Sequence, residues 1–236
     1  EKMTLVPQGF FSMGCNLNVD DACEGDEFPF HDVYLDSFFI DLTEVQAGDY
    51  KDCVDAGNCT YDESVISTNQ NYNNNRDKHP MNYVTWEEAH HYCLAQGKAL
   101  PTEAQWEKAA RGTDGRLFPW GSEPVASCDY AIMTMADSSS GCGAEHTEEV
   151  GSKPLGASVY GVMDMSGNVR EWTSDWYGCT YPNSGTWCNS GSYRVVRGGY
   201  WADDPNGLRS SLRVYDTPTH RYSNGGFRLR KLVDMN

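Results

Sequence analysis

Nine cysteines, eight of them in four short-range couples, constrain this chain more than any other feature. Cys15 with Cys23, Cys53 with Cys59, Cys128 with Cys142 and Cys179 with Cys188 each bracket a segment rich in Gly, Asn, Asp or Ser. A bridge across any of them would staple a loop, at roughly 2–3 kcal/mol each on the chain-entropy model. Zinc would need paired thiolates or histidines at ligand spacing, and the sequence has no Cys-x-x-Cys. Disulfides are the expectation, with nearest-neighbour pairing as a hypothesis that spacing alone does not fix. Bridges in turn imply an oxidising compartment, so the chain reads as secreted, periplasmic or cell-surface. Cys93 is left over, on a stretch with helical periodicity, and reads as a buried thiol acting as a small hydrophobe.

A chain of 236 residues can bury one large core, and no linker or repeat divides it, so residues 1–236 are read as a single domain. Its 23 Gly, 14 Tyr and 7 Trp suit a loop-rich fold packed by aromatics rather than a helical bundle. A net charge of −16 argues against nucleic acid, whose phosphates need clustered Lys and Arg. No apolar run reaches the ~18 residues that a membrane-spanning helix needs. Glu1 is not an initiator methionine, which suggests a processed chain whose signal or lipid anchor has been removed.

Local signals outline the elements. Met3 to Gly14 reads as a strand with a turn at Pro7-Gln-Gly9, and His31 to Ile40 as a strand entering a core. Thr43 opens a short helix that Gly57 ends. Thr85 with Glu88, and Thr102 with Gln105, match capping boxes for two further helices, stopped by Gly97 and Gly112. Asn69 to Asn75 is too polar to pack and reads as a surface loop. Tyr193 to Arg197 and Gly226 to Arg230 read as strands.

Four ordered motifs carry a resemblance. They are Leu100-Pro-Thr-Glu-Ala-Gln-Trp-Glu-Lys-Ala-Ala-Arg-Gly112, Gly161-Val-Met-Asp-Met-Ser-Gly-Asn-Val-Arg-Glu-Trp172, Arg197-Gly-Gly-Tyr-Trp201 and Gly226-Phe-Arg228. With the Val6-Pro-x-Gly opening, they make nearly the whole chain resemble the formylglycine-generating enzyme and sulfatase-modifying factor family. The resemblance implies an α+β fold, a variant of the C-type lectin domain, with little regular secondary structure and, here, disulfide staples. It also implies a Ca²⁺ site at Asp164, the carbonyls of Gly167 and Val169, and Glu171. That donor set suits calcium, which takes carboxylate and carbonyl oxygens at about 2.4 Å. Arg170 stands where the family commonly has Trp, and is expected to pair with a nearby carboxylate.

The oxidases of the family hold two cysteines just after the Arg-Gly-Gly element, where they bind copper. Here Tyr200 to Arg213 contains no cysteine. Asp203 and Asp204 are hard oxygen donors and poor substitutes for thiolates toward Cu(I). The non-haem iron sulfoxide synthases of the same fold need a His-x-x-x-His-x-Glu pattern. The six histidines do not form one, and no Gly-x-Ser-x-Gly turn supports a hydrolase.

What remains is a C-terminal surface, residues 200–225, with Tyr200, Trp201, Asp203, Asp204, Tyr215, His220, Tyr222 and Asn224 as candidate ligand contacts. Tyr, Trp, Asn and Asp on a rigid frame is a recognition composition. The expected role is a non-catalytic binding or structural module for a protein or glycan. The alternatives are an enzyme of the same family and a lectin-type ligand-binding protein diversified by a retroelement.

Overall fold

The structure, a computed structural model, describes residues 2–178 and 191–233. Cys179 and Cys188 lie outside the described residues, and so does their expected bridge. The other three couples are disulfides: Cys15–Cys23, Cys53–Cys59 and Cys128–Cys142, with Cα–Cα distances of 5.7, 5.3 and 5.8 Å. Cys93 is buried and belongs to none of these three bridges.

Pro7 divides the opening segment into β1 (Met3–Val6) and β2 (Gly9–Met13), which enter different sheets. β2 pairs antiparallel with β3 (His31–Leu35). β1 pairs antiparallel with β4 (Phe38–Asp41), and β4 with β9 (Arg230–Leu232). The 31–40 stretch, expected as one strand, is therefore two. Its alternating half covers β2, while its apolar half, with Phe38 and Ile40 fully buried, enters the core beside β1.

A third sheet runs β7 (Val214–Asp216), β6 (Arg194–Arg197), β5 (Arg170–Trp176), β8 (Gly225–Gly226), with β8 parallel to β5. The closing 226–230 strand is broken into β8 and β9. Phe227, Arg228 and Leu229 between them are fully buried, as the chain crosses from one sheet to the other through the core.

Three helices pack on these sheets: α1 (Ala47–Asp55), α2 (Trp86–Ala95) and α3 (Glu103–Arg111). Helix accounts for 19% and strand for 20%, so most of the fold is ordered loop, as expected. Both capping boxes form. α1 starts at Ala47 rather than Thr43, because residues 45 and 46 are used elsewhere. Val45 N donates to Phe227 O and Val45 O accepts from Met81 N, while Gln46 bridges to Pro80.

One core gathers Tyr50, Tyr92, Trp86, Trp172 and Phe227, with Tyr50 and Tyr92 stacked at 5.1 Å. Another joins Val6, Phe38 and Ile40 to Trp106, Ala109 and Ala110 of α3. Of the polar stretch 69–75, only Asn73 to Asn75 are exposed as the composition suggests. Gln70 and Asn71 are buried, and Asn71 Nδ2 donates to Pro80 O and Thr147 Oγ1 while Asn82 Oδ1 accepts from Asn71 N. These amides are buried because each finds a partner, which removes the desolvation cost.

Candidate functional site

The turn that leads into β5 needs unusual backbone. Asp164, Gly167 and Asn168 have φ of 59°, 84° and 60°, a region that Gly, Asn and Asp enter most easily. At Gly167 a Cβ would lie 2.3 Å from Ile132 O, so only glycine fits there. Asn168 ties the turn outward: its Nδ2 donates to Glu44 Oε1 at 3.1 Å and its Oδ1 accepts from Glu148 N at 3.1 Å. Its carbonyl accepts from Trp201 N at 3.1 Å, which fixes the start of the C-terminal surface.

Acid is concentrated under this turn. Asp164 accepts from Gly151 N and lies in hydrogen-bond contact with Glu44. Burial, then the neighbouring Asp164 carboxylate, pushes Glu44 well above the usual carboxylate range, and burial also raises Asp164. Glu44 is 2% exposed, and its Oε2 has no hydrogen-bond partner. Two buried carboxylates in contact, with Glu44 Oε2 facing no donor other than a proton shared with Asp164, are oxygen donors of the kind a hard cation takes.

Glu171, the other acid the resemblance assigns to calcium, is differently engaged. Its Oε1 accepts from Arg228 Nη2 at 2.7 Å, and its Oε2 from Arg228 Nε at 2.7 Å and Trp106 Nε1 at 3.0 Å. All three side chains are fully buried. Asp164 and Glu171 of the expected set both lie near Glu44, but Glu171 is held in a fork by Arg228 and Glu44 is drawn in beside Asp164. Sequence reading missed Glu44. Its signal was a carboxylate in Leu42-Thr-Glu-Val45, between residues that pack inward.

Among the described residues, the one grouping of three or more cation-ligand side chains whose donor atoms lie within 4.8 Å of one another is Cys15, Asp20, Cys23 and Glu27. Its sulfurs are bonded to each other. Its carboxylates hold Arg209, at 2.7 Å from Asp20 and 2.8 and 2.9 Å from Glu27. Ion pairing already accounts for this group. His79 and His146, which looked isolated in sequence, lie with ring centroids 5.8 Å apart beside Thr147.

The C-terminal surface divides in two. Around Arg170, Nη2 donates to Asp203 Oδ2 at 2.9 Å and Oδ1 at 3.2 Å, and the guanidinium lies 4.7 Å from the Tyr200 ring centroid. This is the carboxylate pairing expected of Arg170. Trp201 packs edge-on to Tyr200, and its shielded indole N–H has no acceptor. Asn224 O accepts from Arg170 N, which joins the end of the segment to its start. Asp204 is exposed and caps a single 3-10 turn, accepting from Asn206 N and Gly207 N. It also lines a cleft of about 430 Å³ whose other walls include Ala126, Met133, Met135 and Pro205.

The remaining candidates sit in other groups. Tyr215, 48% exposed, packs against Tyr177 and Tyr193 at 4.3 and 5.0 Å. His220 Nδ1 lies 2.6 Å from Asp216 Oδ1, and Tyr222 stacks on the core Trp172. Tyr200, Trp201, Asp203 and Asn224 therefore form one cluster, while Tyr215, His220 and Tyr222 flank the β7 side.

The frame below is a network of buried ions. Arg197 Nη2 donates to Glu107 Oε2, Arg111 Nη1 donates to Glu107 Oε1 at 2.9 Å, and Arg213 forks onto Glu103 at 2.6 and 2.9 Å. No helix among the described residues is long and apolar enough to cross a membrane. The three bridges fit an oxidising compartment.

Comparison with known proteins agrees with this architecture. The chain is 35% identical over 256 residues to the serine/threonine-protein kinase pkn1 of Chlamydia pneumoniae, covering 99% of this chain and 38% of that protein. It is 33% identical to hercynine oxygenase of Mycolicibacterium smegmatis, covering 95% of this chain and 60% of that one. It is 29% identical to the formylglycine-generating enzyme of Mus musculus, covering 96% and 74%. The chain thus spans less than two thirds of each of the first two relatives. Among solved structures, PvdO from Pseudomonas aeruginosa superimposes with a TM-score of 0.81 at 25% identity, covering 98% of this chain and 94% of that one. Treponema denticola variable protein 1 gives 0.72 at 23% over 98% and 95%, a likeness of fold. The model of the sulfatase-modifying factor enzyme 1-like domain matches residues 1–232, and the chain belongs to that family.

Proposed function

We propose that this chain is a recognition module of its family, a calcium-stabilised scaffold that binds a protein or glycan through residues 200–225 without chemistry. The observation that carries the reading is the Arg170–Asp203 pair under Tyr200 and Trp201. Its Asp203 lies in the segment after Arg197-Gly-Gly where the oxidases of the family carry their copper-binding cysteines. An ion pair covered by aromatic rings offers shape, stacking area and hydrogen bonds, but no thiol to exchange with a substrate cysteine. The aliphatic cleft beside Asp204 extends the same surface and would take an apolar group of the partner.

Calcium, on this reading, is structural. Asp164 and the carbonyls of Gly167 and Val169 would hold it, and the ion would brace the turn whose Asn168 carbonyl receives Trp201 N.

An enzymatic reading is the second one, favoured by the names of two relatives, formylglycine-generating enzyme and hercynine oxygenase. The test is a screen of glycan arrays and displayed peptides with wild type and with Trp201→Ala and Tyr215→Ala variants. Ligands held by wild type and lost in the Trp201 variant support recognition. Ligands that survive both substitutions, or no ligand at all, count against it.

A further inference from the structure

We propose that His79 and His146 form a two-histidine site for a divalent transition-metal ion of the zinc, copper and nickel kind. The site uses none of residues 200–225, so it goes beyond the recognition reading and does not depend on it. The two histidines are far apart in sequence, and the fold sets their ring centroids 5.8 Å apart with the planes inclined at 63°. Two imidazoles that share one ion through Nε2 at about 2.1 Å have ring centres roughly 5–6 Å apart when the angle at the ion is tetrahedral or wider. The pair already stands at that separation.

One residue, Thr147, orients both rings. His146 Nδ1 lies 2.5 Å from Thr147 O. A carbonyl only accepts, so the proton sits on Nδ1 and Nε2 keeps its lone pair. His79 Nδ1 lies 3.0 Å from Thr147 Oγ1. That hydroxyl gives its own proton to Asn71 Oδ1, at 3.3 Å, and so accepts from His79. The amide of Asn71 is set in turn by Pro80 O, which accepts from Asn71 Nδ2 at 2.8 Å. Thr147 and Asn71 are both buried. An imidazole whose Nδ1–H is tied to a protein oxygen, with Nε2 left to bind, is the usual form of a metal-ligating histidine.

Access and charge allow an ion here. Both rings are half-buried, so solvent reaches them. Arg76 and Glu149 act on His79 with opposite sign, so neighbouring charge neither drives nor bars a cation. Among the described residues no third His, Cys, Asp or Glu joins the pair within 4.8 Å, and water would take the remaining positions. Two nitrogens and water suit zinc, copper or nickel, whereas calcium takes oxygen. Val150 N donates to Lys78 O, so the two segments already run side by side and an ion would cross-link them. Glu148 N, just beyond Thr147, donates to Asn168 Oδ1, so the same cross-link would brace the turn before β5.

The experiment titrates metal-stripped protein, with calcium kept in excess, by Zn²⁺ in a calorimeter and by Cu²⁺ under electron paramagnetic resonance. The proteins are wild type, His79→Gln, His146→Gln and His91→Gln. Wild type is expected to bind zinc at this pair and to show two imidazole nitrogens on copper. Each of the first two variants should bind zinc about tenfold more weakly or worse, because even the groups behind a ligating histidine are worth about that much. Each should also leave one imidazole on copper. His91→Gln, on the exposed side of α2, should match wild type.

Should His79→Gln not fold, His146→Gln tests the pair alone, since the Asn71–Thr147 contacts do not involve His146. Zinc binding that survives unchanged in a folded variant of either histidine would overturn the site. So would a wild type that binds no zinc, or one whose copper signal carries a single imidazole.

Discussion

Arg170 reaches across the start of the C-terminal surface to hold Asp203 by both carboxylate oxygens, at 2.9 and 3.2 Å from a single nitrogen. The pair is part-buried, with 24% and 15% of the side chains exposed, so it is screened less than a surface bridge. Burial already pushes the Asp203 carboxyl up, and the guanidinium opposes that shift. Arg170→Gln should cost about 1–2 kcal/mol through the carboxylate left without its cation. Urea midpoints would measure it, and a variant as stable as wild type would show that the pair contributes only position.

Glu107 anchors the deepest charges. Its Oε1 accepts from Arg111 and from Gly14 N, and its Oε2 from Arg197, all at or near zero exposure. Glu107→Ala would leave two guanidinium groups buried without this carboxylate, a loss of about 3–5 kcal/mol. That is a large fraction of a typical domain's stability. Loss of a cooperative unfolding transition, or a strongly lowered midpoint, is the expected result.

These networks also mark what the sequence could and could not disclose. Helices α2 and α3 were legible because Thr85, Glu88, Thr102 and Gln105 act within one turn of chain. The three observed bridges were legible for the same reason, each partner lying close in sequence. Glu107 and Arg197 stand 90 residues apart, and nothing local says that a charged helix face will be buried rather than solvated. Asn71 misled in the same way: its partners, Pro80, Asn82 and Thr147, become neighbours only in the fold. Glu44 was hidden behind a helix start that tertiary pairing of Val45 moved to Ala47. At the candidate site, the pairing of Arg170 with a carboxylate was legible from the sequence, and the separation of Tyr200 and Asp203 from Tyr215 and His220 was not.

Asp175 gives a pH signature away from the calcium turn. It receives Glu103 N at 2.7 Å, and burial, then Glu103, raise its pKa to about 6. A carboxyl whose folded pKa lies above its unfolded value binds more protons when folded. Its contribution is full below the unfolded value near 3.8 and is lost as pH rises through about 6. Asp175→Asn keeps an oxygen acceptor for Glu103 N and removes that loss. The variant should melt above wild type at pH 7, with the difference shrinking toward pH 4. An equal difference at both pH values would contradict the assignment.

The Cys128–Cys142 bridge closes the longest of the observed disulfide loops, 14 residues apart in sequence. Within it, Gly141 N donates to Trp201 O and Thr134 N to Asp203 O, so the loop also braces the Tyr200–Asp203 segment. Replacing both cysteines by serine should cost about 3 kcal/mol. It should also speed hydrogen exchange at Thr134 and Gly141. Unchanged exchange there would mean that the bridge and the cluster are independent.

On the recognition reading, Asp203, paired with Arg170, lies in the segment where the oxidases of the family use thiols, and residues 200–213 hold no cysteine. The most direct measurement is the intact mass of a Cys-x-Pro-x-Arg peptide after incubation with this chain, copper and oxygen. The expected result is an unchanged peptide, alongside a chain that still folds and melts cooperatively. Conversion of the peptide cysteine to an aldehyde would contradict it.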